Sequence, residues 1–278
     1  MSAPKMSKIE ALKAKYAANK KKASGRIFAV LLGPRGMGKS GTAAGTWSAE
    51  TKVLHIVFAQ EDHGIQSAAG IAKGDNVVPL LVDIGDAGKL APGPAFAAFC
   101  EVLDDVELIS EFDVIVVDGL SALDGILANL PEVERATGYD KKRVVDLAYD
   151  KVLSKLKNIS LVHNKDIVIT CSTEVRSNAE GMFEAPSLRG GSAVDAIIGA
   201  CPEILPLSKV EDTDGVKFVF TMQNVIRKSG TKMNKDGYTH NVSARVAGVN
   251  VSELPEMMLA SMDVLKRWKA KKAVEGKK

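Results

Sequence analysis

Downstream of Arg26 the chain alternates short apolar runs with glycine-rich turns and stretches of helical period. The runs Ile27–Leu32, Val53–Ala59, Val77–Val82, Val114–Val117 and Ile167–Thr170 are rich in Val, Ile and Leu. None shows clean in–out alternation, which predicts strands covered on both faces. Between them, Pro94–Ile109 and Lys142–Ile159 repeat apolar residues at helical spacing and are long enough to act as crossovers. This grammar predicts an α/β fold with a mainly parallel central sheet and helices on both faces. After Ile204 it changes: Lys217–Thr221 alternates, Ser229–Gly237 reads as a turn, and Val242–Val246 alternates again. An antiparallel C-terminal extension of the sheet is expected there. Ile9, Leu12 and Tyr16 lie at helical spacing among lysines and alanines, so Ser7–Lys22 reads as an amphipathic helix, and Glu253–Lys272 reads as a closing one. There is no internal repeat. The simplest partition is a basic N-terminal helix over 1–24, a core over 25–250, and a C-terminal helix with a basic tail over 251–278.

Composition narrows the picture. A chain of 278 residues with 46% hydrophobic content can bury a substantial core, which excludes disorder throughout. A net charge of +3 does not by itself announce a nucleic-acid binder. The lysines crowd the two ends, from Lys5 to Lys22 and from Lys266 to Lys278, where they read either as solubilising tails or as a grip on phosphate backbones. Cys100, Cys171 and Cys201 form neither a CxxC pair nor an even set, which points away from a disulfide framework and towards a reducing interior. His55, His63, His163 and His240 lack metal-ligand spacing, so each is read as structural and no zinc is expected. No apolar run is long enough for a bilayer, and no signal-peptide core follows the basic start. The expectation is a cytoplasmic protein with no membrane partner.

The sharpest chemical signal is Gly33-Pro34-Arg35-Gly36-Met37-Gly38-Lys39-Ser40, which fits GxxxxGK[ST] and lies between an apolar strand and a plausible helix. Glycines there let main-chain amides turn inward on phosphate oxygens, and the start of a helix adds a favourable field. Gly33 to Gly41 are therefore assigned to nucleotide binding. Lys39 is expected to reach the β- and γ-phosphates, and Ser40 to ligate Mg2+. The run Phe112-Asp113-Val114-Ile115-Val116-Val117-Asp118-Gly119 is an apolar strand ending in an acid, which suits Asp118 to hold the same ion. Gln60-Glu61-Asp62-His63 follows another strand, placing acids at its C-terminal edge. Glu61 is the first candidate to activate the attacking water, with Asp62 as its competitor. A third strand ends in Thr170-Cys171-Ser172-Thr173-Glu174, so Thr173 and Glu174 are candidates to sense the γ-phosphate.

The order of these parts, with Gly119-Leu120-Ser121-Ala122-Leu123 after the Asp118 strand, resembles the RecA-like branch of P-loop ATPases over approximately Arg26 to Val246. It is most similar to compact phage-encoded RecA-core proteins implicated in single-strand annealing and recombination. The resemblance implies ATP and Mg2+ as ligands, assembly as a filament or ring on single-stranded DNA, and ATP sandwiched between subunits. It implies DNA-holding loops at Leu123–Asp140 and Ser177–Gly191, and a cation given across the interface by Arg227 or Lys228, with Lys232 and Lys235 nearby. A phage origin would place the protein in the bacterial host cytoplasm. The chain departs from the pattern in its Gly-Pro-Arg-Gly opening and in having no recognisable accessory DNA-binding domain. Aromatics make up 5% of it, and the implied DNA loops carry just Tyr139 and Phe183. Binding led by phosphate contacts, and sensitive to salt, follows from that. A helicase or helicase-loader motor, and a nucleotide-gated scaffold with little turnover, are the competing functions.

Overall fold

Buried at every position, Phe28–Gly33 (β1), Val53–Val57 (β2) and Val114–Asp118 (β6) form the middle of the sheet, as expected of apolar runs without alternation. The computed structural model describes residues 27–72, 74–178, 181–189, 197, 201, 203–212, 215–220 and 249–250. In chain order, β2 is followed by His63–Ala69 (α1), Val77–Leu81 (β3) and a small hairpin of Ile84–Gly85 (β4) with Gly88–Lys89 (β5). Pro92–Asp104 (α2) and Val106–Ser110 (α3) lead into β6. Leu120–Leu127 (α4), Pro131–Arg135 (α5) and Tyr139–Val162 (α6) then lead to Asp166–Asn178 (β7) and Gly181–Pro186 (β8). Glu203–Asp212 (β9), Gly215–Phe220 (β10) and Val249–Asn250 (β11) complete the described elements.

The main sheet has the order β11-β10-β9-β1-β7-β6-β2-β3, with β8 paired to β7. From β9 to β3 every neighbouring pair is parallel. The β9–β10, β10–β11 and β7–β8 pairs are antiparallel. This is the expected α/β core with a mainly parallel sheet, extended by antiparallel strands. Successive residues of each central strand feed opposite layers. Val30, Leu32, Ile115 and Val117 join one apolar cluster with α2, α4 and α6. Ala29, Leu31, Val114 and Val116 join the other, with Ala43, Ala44, Trp47 and Ala68. Among the described residues no helix is long and apolar enough to cross a membrane.

Four local expectations need correcting. β3 is an edge strand, so Val78 and Leu81 are exposed rather than covered on both faces. Pro79, which has no N–H to give a ladder, is tolerated there. The helix expected after the glycine-rich loop is α-helical only at Lys39–Ser40 and continues as a π-helical segment, Gly41–Gly45. The stretches implied as DNA-holding loops are not plain loops: Leu123–Asp140 holds the end of α4, all of α5 and the start of α6, and within Ser177–Gly191 β7 continues to Asn178 and pairs antiparallel with β8. Finally, β10 pairs with β9 in the register Gly215↔Asp212, a neighbour not expected for Lys217–Thr221, whose expected partner was Val242–Val246. That last segment, the helices at Ser7–Lys22 and Glu253–Lys272, both lysine-rich ends, and Arg227, Lys228, Lys232 and Lys235 lie outside the described residues.

Candidate functional site

Parallel strands send their C-terminal ends to one edge of the sheet, where ligands of open α/β folds gather. Here the register aligns Gly33 with Ser172 and Val57 with Asp118 at that edge. Past Gly33 the chain turns sharply, with φ of +78° at Gly36 and +71° at Gly38. Both are left-handed conformations, which glycine adopts without a Cβ clash. A backbone so shaped forms the kind of concavity that binds anions. Lys39 lies across it, and its Nζ donates to the carbonyl oxygens of Gly33 and Pro34, each at 2.9 Å. Burial pushes the Lys39 ammonium below its ordinary pKa, against the opposing pull of the Glu61 and Asp118 carboxylates. Thr42 closes the loop from behind, since its N–H and its hydroxyl both donate to the Gly38 carbonyl, at 2.9 and 2.8 Å.

Asp118, the last residue of β6, is buried beside this loop. Burial alone would raise its pKa, but hydrogen bonds from His55, Thr170 and Ser40 hold the carboxyl below the usual carboxylate value. Thr170 Oγ1 donates to Oδ1 at 2.5 Å, and His55 Nε2 lies 3.0 Å from Oδ2. Gly64, in the first turn of α1, faces the same spot. A Cβ there would run into Asp118 Oδ2 and stand 3.0 Å from Ser40 Oγ. The hydroxyl of Ser40 and an ionised carboxylate thus meet where the nearest helix has left out a side chain. That oxygen donor set suits a hard cation such as Mg2+, which keeps most of its ligand shell as water and substrate phosphate.

A cavity of about 590 Å³ opens over these groups, lined by Arg35–Gly41, Glu61 and Asp118, with Gln60, Ser121, Thr170 and Ser172. Glu61 ends the 3₁₀ turn Ala59–Glu61 that follows β2. The turn is stapled in place: Phe58 N–H donates to the Asp118 carbonyl at 3.3 Å, and Ala59 N–H donates to Asp83 Oδ1 at 2.7 Å. Burial and then the charge of Asp118 push the Glu61 carboxyl above its ordinary value. Asp62, the competing acid, does not line the cavity, and its carboxylate is 3.9 Å from His63 Nδ1.

No family model matches the chain, and no curated protein matches it in sequence. Among solved structures it is similar to the flagellar accessory protein FlaH from Methanocaldococcus jannaschii. That similarity has 14% identity and a TM-score of 0.41 over 74% of this chain and 82% of that one. It is also similar to a KaiC-like protein from Pyrococcus horikoshii, with 11% identity and a TM-score of 0.41 over 71% and 78%. Similarity at this level reaches neither reaction nor partners.

The structure therefore brings the loop residues, Lys39, Ser40, Glu61 and Asp118 together. Thr173 is not among them. Side chains alternate along β7, so Thr170 and Ser172 line the cavity while Thr173 points to the other face. Glu174 is likewise displaced, and its carboxylate accepts from Ser187 Oγ at 3.4 Å, outside the cavity. Arg227 and Lys228 lie outside the described residues. Sequence reasoning missed Thr170, Ser172, Gly64 and His55. The polar end of the third strand signalled the first two, but its phase was misjudged. His55 had a signal as well, being the lone polar residue in Val-Leu-His-Ile-Val.

Proposed function

We propose that the chain binds Mg2+–ATP in this cavity, hydrolyses it, and acts as a homo-oligomer on single-stranded DNA in recombination, annealing or replication. One observation carries the nucleotide part. A glycine-shaped anion concavity, a lysine spanning it, a Ser–Asp oxygen pair and a carboxylate of raised pKa all border one cavity at the C-terminal edge of a parallel sheet.

On binding, Lys39 exchanges the Gly33 and Pro34 carbonyls for phosphate oxygens, so its charge is never left without partners. Ser40 and Asp118 hold Mg2+, which when bound neutralises charge building on the phosphates. Glu61 orients the attacking water and accepts its proton, a task suited to a carboxyl whose pKa is shifted upward. Thr170 and Ser172 present hydroxyls towards the same space. The sequence resemblance supports the remaining parts: Arg227 or Lys228 acting across a subunit boundary, and DNA held by the stretches Leu123–Asp140 and Ser177–Gly191.

The test is ATP hydrolysis with and without a single-stranded oligonucleotide, alongside binding of that oligonucleotide over a salt series. Stimulation by DNA, and binding that weakens steeply with salt, is the expected result. The absence of both stimulation and salt-sensitive binding overturns the DNA assignment. Lys39→Ala is expected to abolish productive nucleotide binding, and a variant that still binds and hydrolyses ATP overturns the assignment of the loop.

A further inference from the structure

His55 has no side-chain exposure, and it interrupts an otherwise apolar strand. Burying an imidazole among aliphatic side chains is unfavourable unless a hydrogen bond compensates. The compensation is Asp118. β2 and β6 pair in the register His55↔Val116 and Val57↔Asp118, so His55 reaches diagonally across one face of the sheet to the acid. Its Nε2 stops 3.0 Å from Oδ2, while Thr170 holds Oδ1 from the neighbouring strand. The two carboxylate oxygens are thus fixed by two separate donors from β2 and β7.

The other ring nitrogen decides where the proton sits. Nδ1 is buried and has no hydrogen-bond partner. A proton on Nδ1 would leave a buried N–H without an acceptor, and would set the bare lone pair of Nε2 against a carboxylate oxygen. A proton on Nε2 satisfies the acid and leaves only a weak acceptor unmet.

We propose that His55, carrying its proton on Nε2, is a positioning residue that orients the Asp118 carboxylate for the divalent cation. The inference rests on the reading of Asp118 and Ser40 as the cation site. It treats His55 as the partner behind a ligating carboxylate, a place where loss of the hydrogen bond typically costs ten- to a hundredfold in metal affinity. Packing alone does not explain the residue, because Leu or Val would fill the space without an imidazole to satisfy.

Two measurements on the full chain test this. In the first, Mn2+ affinity is read by electron paramagnetic resonance in the presence of a non-hydrolysable ATP analogue. His55→Leu, which keeps volume and removes the donor, is expected to weaken Mn2+ binding about tenfold or more. Analogue binding in EDTA should stay unchanged, and His55→Gln, whose amide can donate from a similar position, should recover most of the loss. Wild-type Mn2+ affinity in the Leu variant, or no recovery in the Gln variant, overturns the proposal. Asp118→Ala separates the two layers. If it too leaves Mn2+ affinity intact, the cation site itself is wrong; if it alone weakens binding, only the role of His55 fails. The second measurement needs no variant. Long-range 15N–1H spectra of the wild-type protein should show the His55 proton on Nε2, and a proton on Nδ1 overturns the proposal whether or not the variants fold.

Discussion

Glu61 and Asp118 are acids at the ends of adjacent strands, and their surroundings push them in opposite directions. Asp118 accepts donors on both oxygens and stays ionised, whereas burial and the nearby charge of Asp118 raise Glu61. Under the proposed function Glu61 is the base and must be deprotonated to act, so hydrolysis should climb with pH through a value above the ~4.3 of a free glutamate. Glu61→Gln should bind ATP normally, hydrolyse it about a hundredfold more slowly, and lose that acidic limb. A rate–pH profile of the two proteins checks all three points. Gly64 matters for a different reason, since its backbone lies against Ser40 and Asp118. Gly64→Ala should push these two apart and weaken Mg2+-dependent nucleotide binding about tenfold, for a strain of ~1.4 kcal/mol. Titration calorimetry with and without Mg2+ would detect it, and the EDTA affinity should barely move.

At the level of elements, the 3₁₀ turn carrying Glu61 depends on a residue from a different strand connection. Asp83, buried after β3, accepts from Ala59 N–H. Asp83→Ala should therefore lower kcat more than nucleotide affinity and cost ~1–3 kcal/mol of stability for the orphaned N–H. Asp83→Asn, which keeps an acceptor oxygen, should restore most of the rate. A second buried carboxylate, Asp124 on α4, secures the return from β8. Tyr149 on α6 donates to its Oδ1 at 2.8 Å, and the Arg189 N–H donates to Oδ2 at 3.0 Å.

These elements also show what sequence can and cannot carry. β1, its loop and the Asp118 strand were legible because unbroken apolar runs and a spaced glycine motif are local signals. The edge position of β3 was not, since Val-Val-Pro-Leu-Leu looks the same in one dimension whether or not a neighbour covers it. The phase of β7 was hidden because polar residues continue past Thr170, leaving no apolar alternation to show which hydroxyls face the cavity. His55 looked like a core histidine for the same reason: its partner lies 63 residues away, on a strand that only the sheet register brings near.

For the molecule as a whole, the site sits at the C-terminal edge of the buried strands β1 and β6, whose side chains feed both apolar layers. Ligand binding at such a place is linked to global stability. Mg2+–ATP at a hundred times its dissociation constant should stabilise the protein by ~2.7 kcal/mol, raising the melting temperature by roughly 5–10 °C. Thermal denaturation with ATP alone, Mg2+ alone and both should show the full shift only with both, and Asp118→Ala should lose the part that requires Mg2+.

The bonds from Lys39 to Gly33 and Pro34 hold the ammonium against its own main chain. An anion that enters the concavity must draw that cation away from two carbonyls, so under the proposed function the triphosphate arrives by an exchange of lodgers and not by the building of a house. Small oxyanions should bind this protein weakly, because each must evict an ammonium already at home. A guest long enough to engage the metal oxygens and the lysine together faces no such handicap, and the site thereby discriminates by length before any base is read.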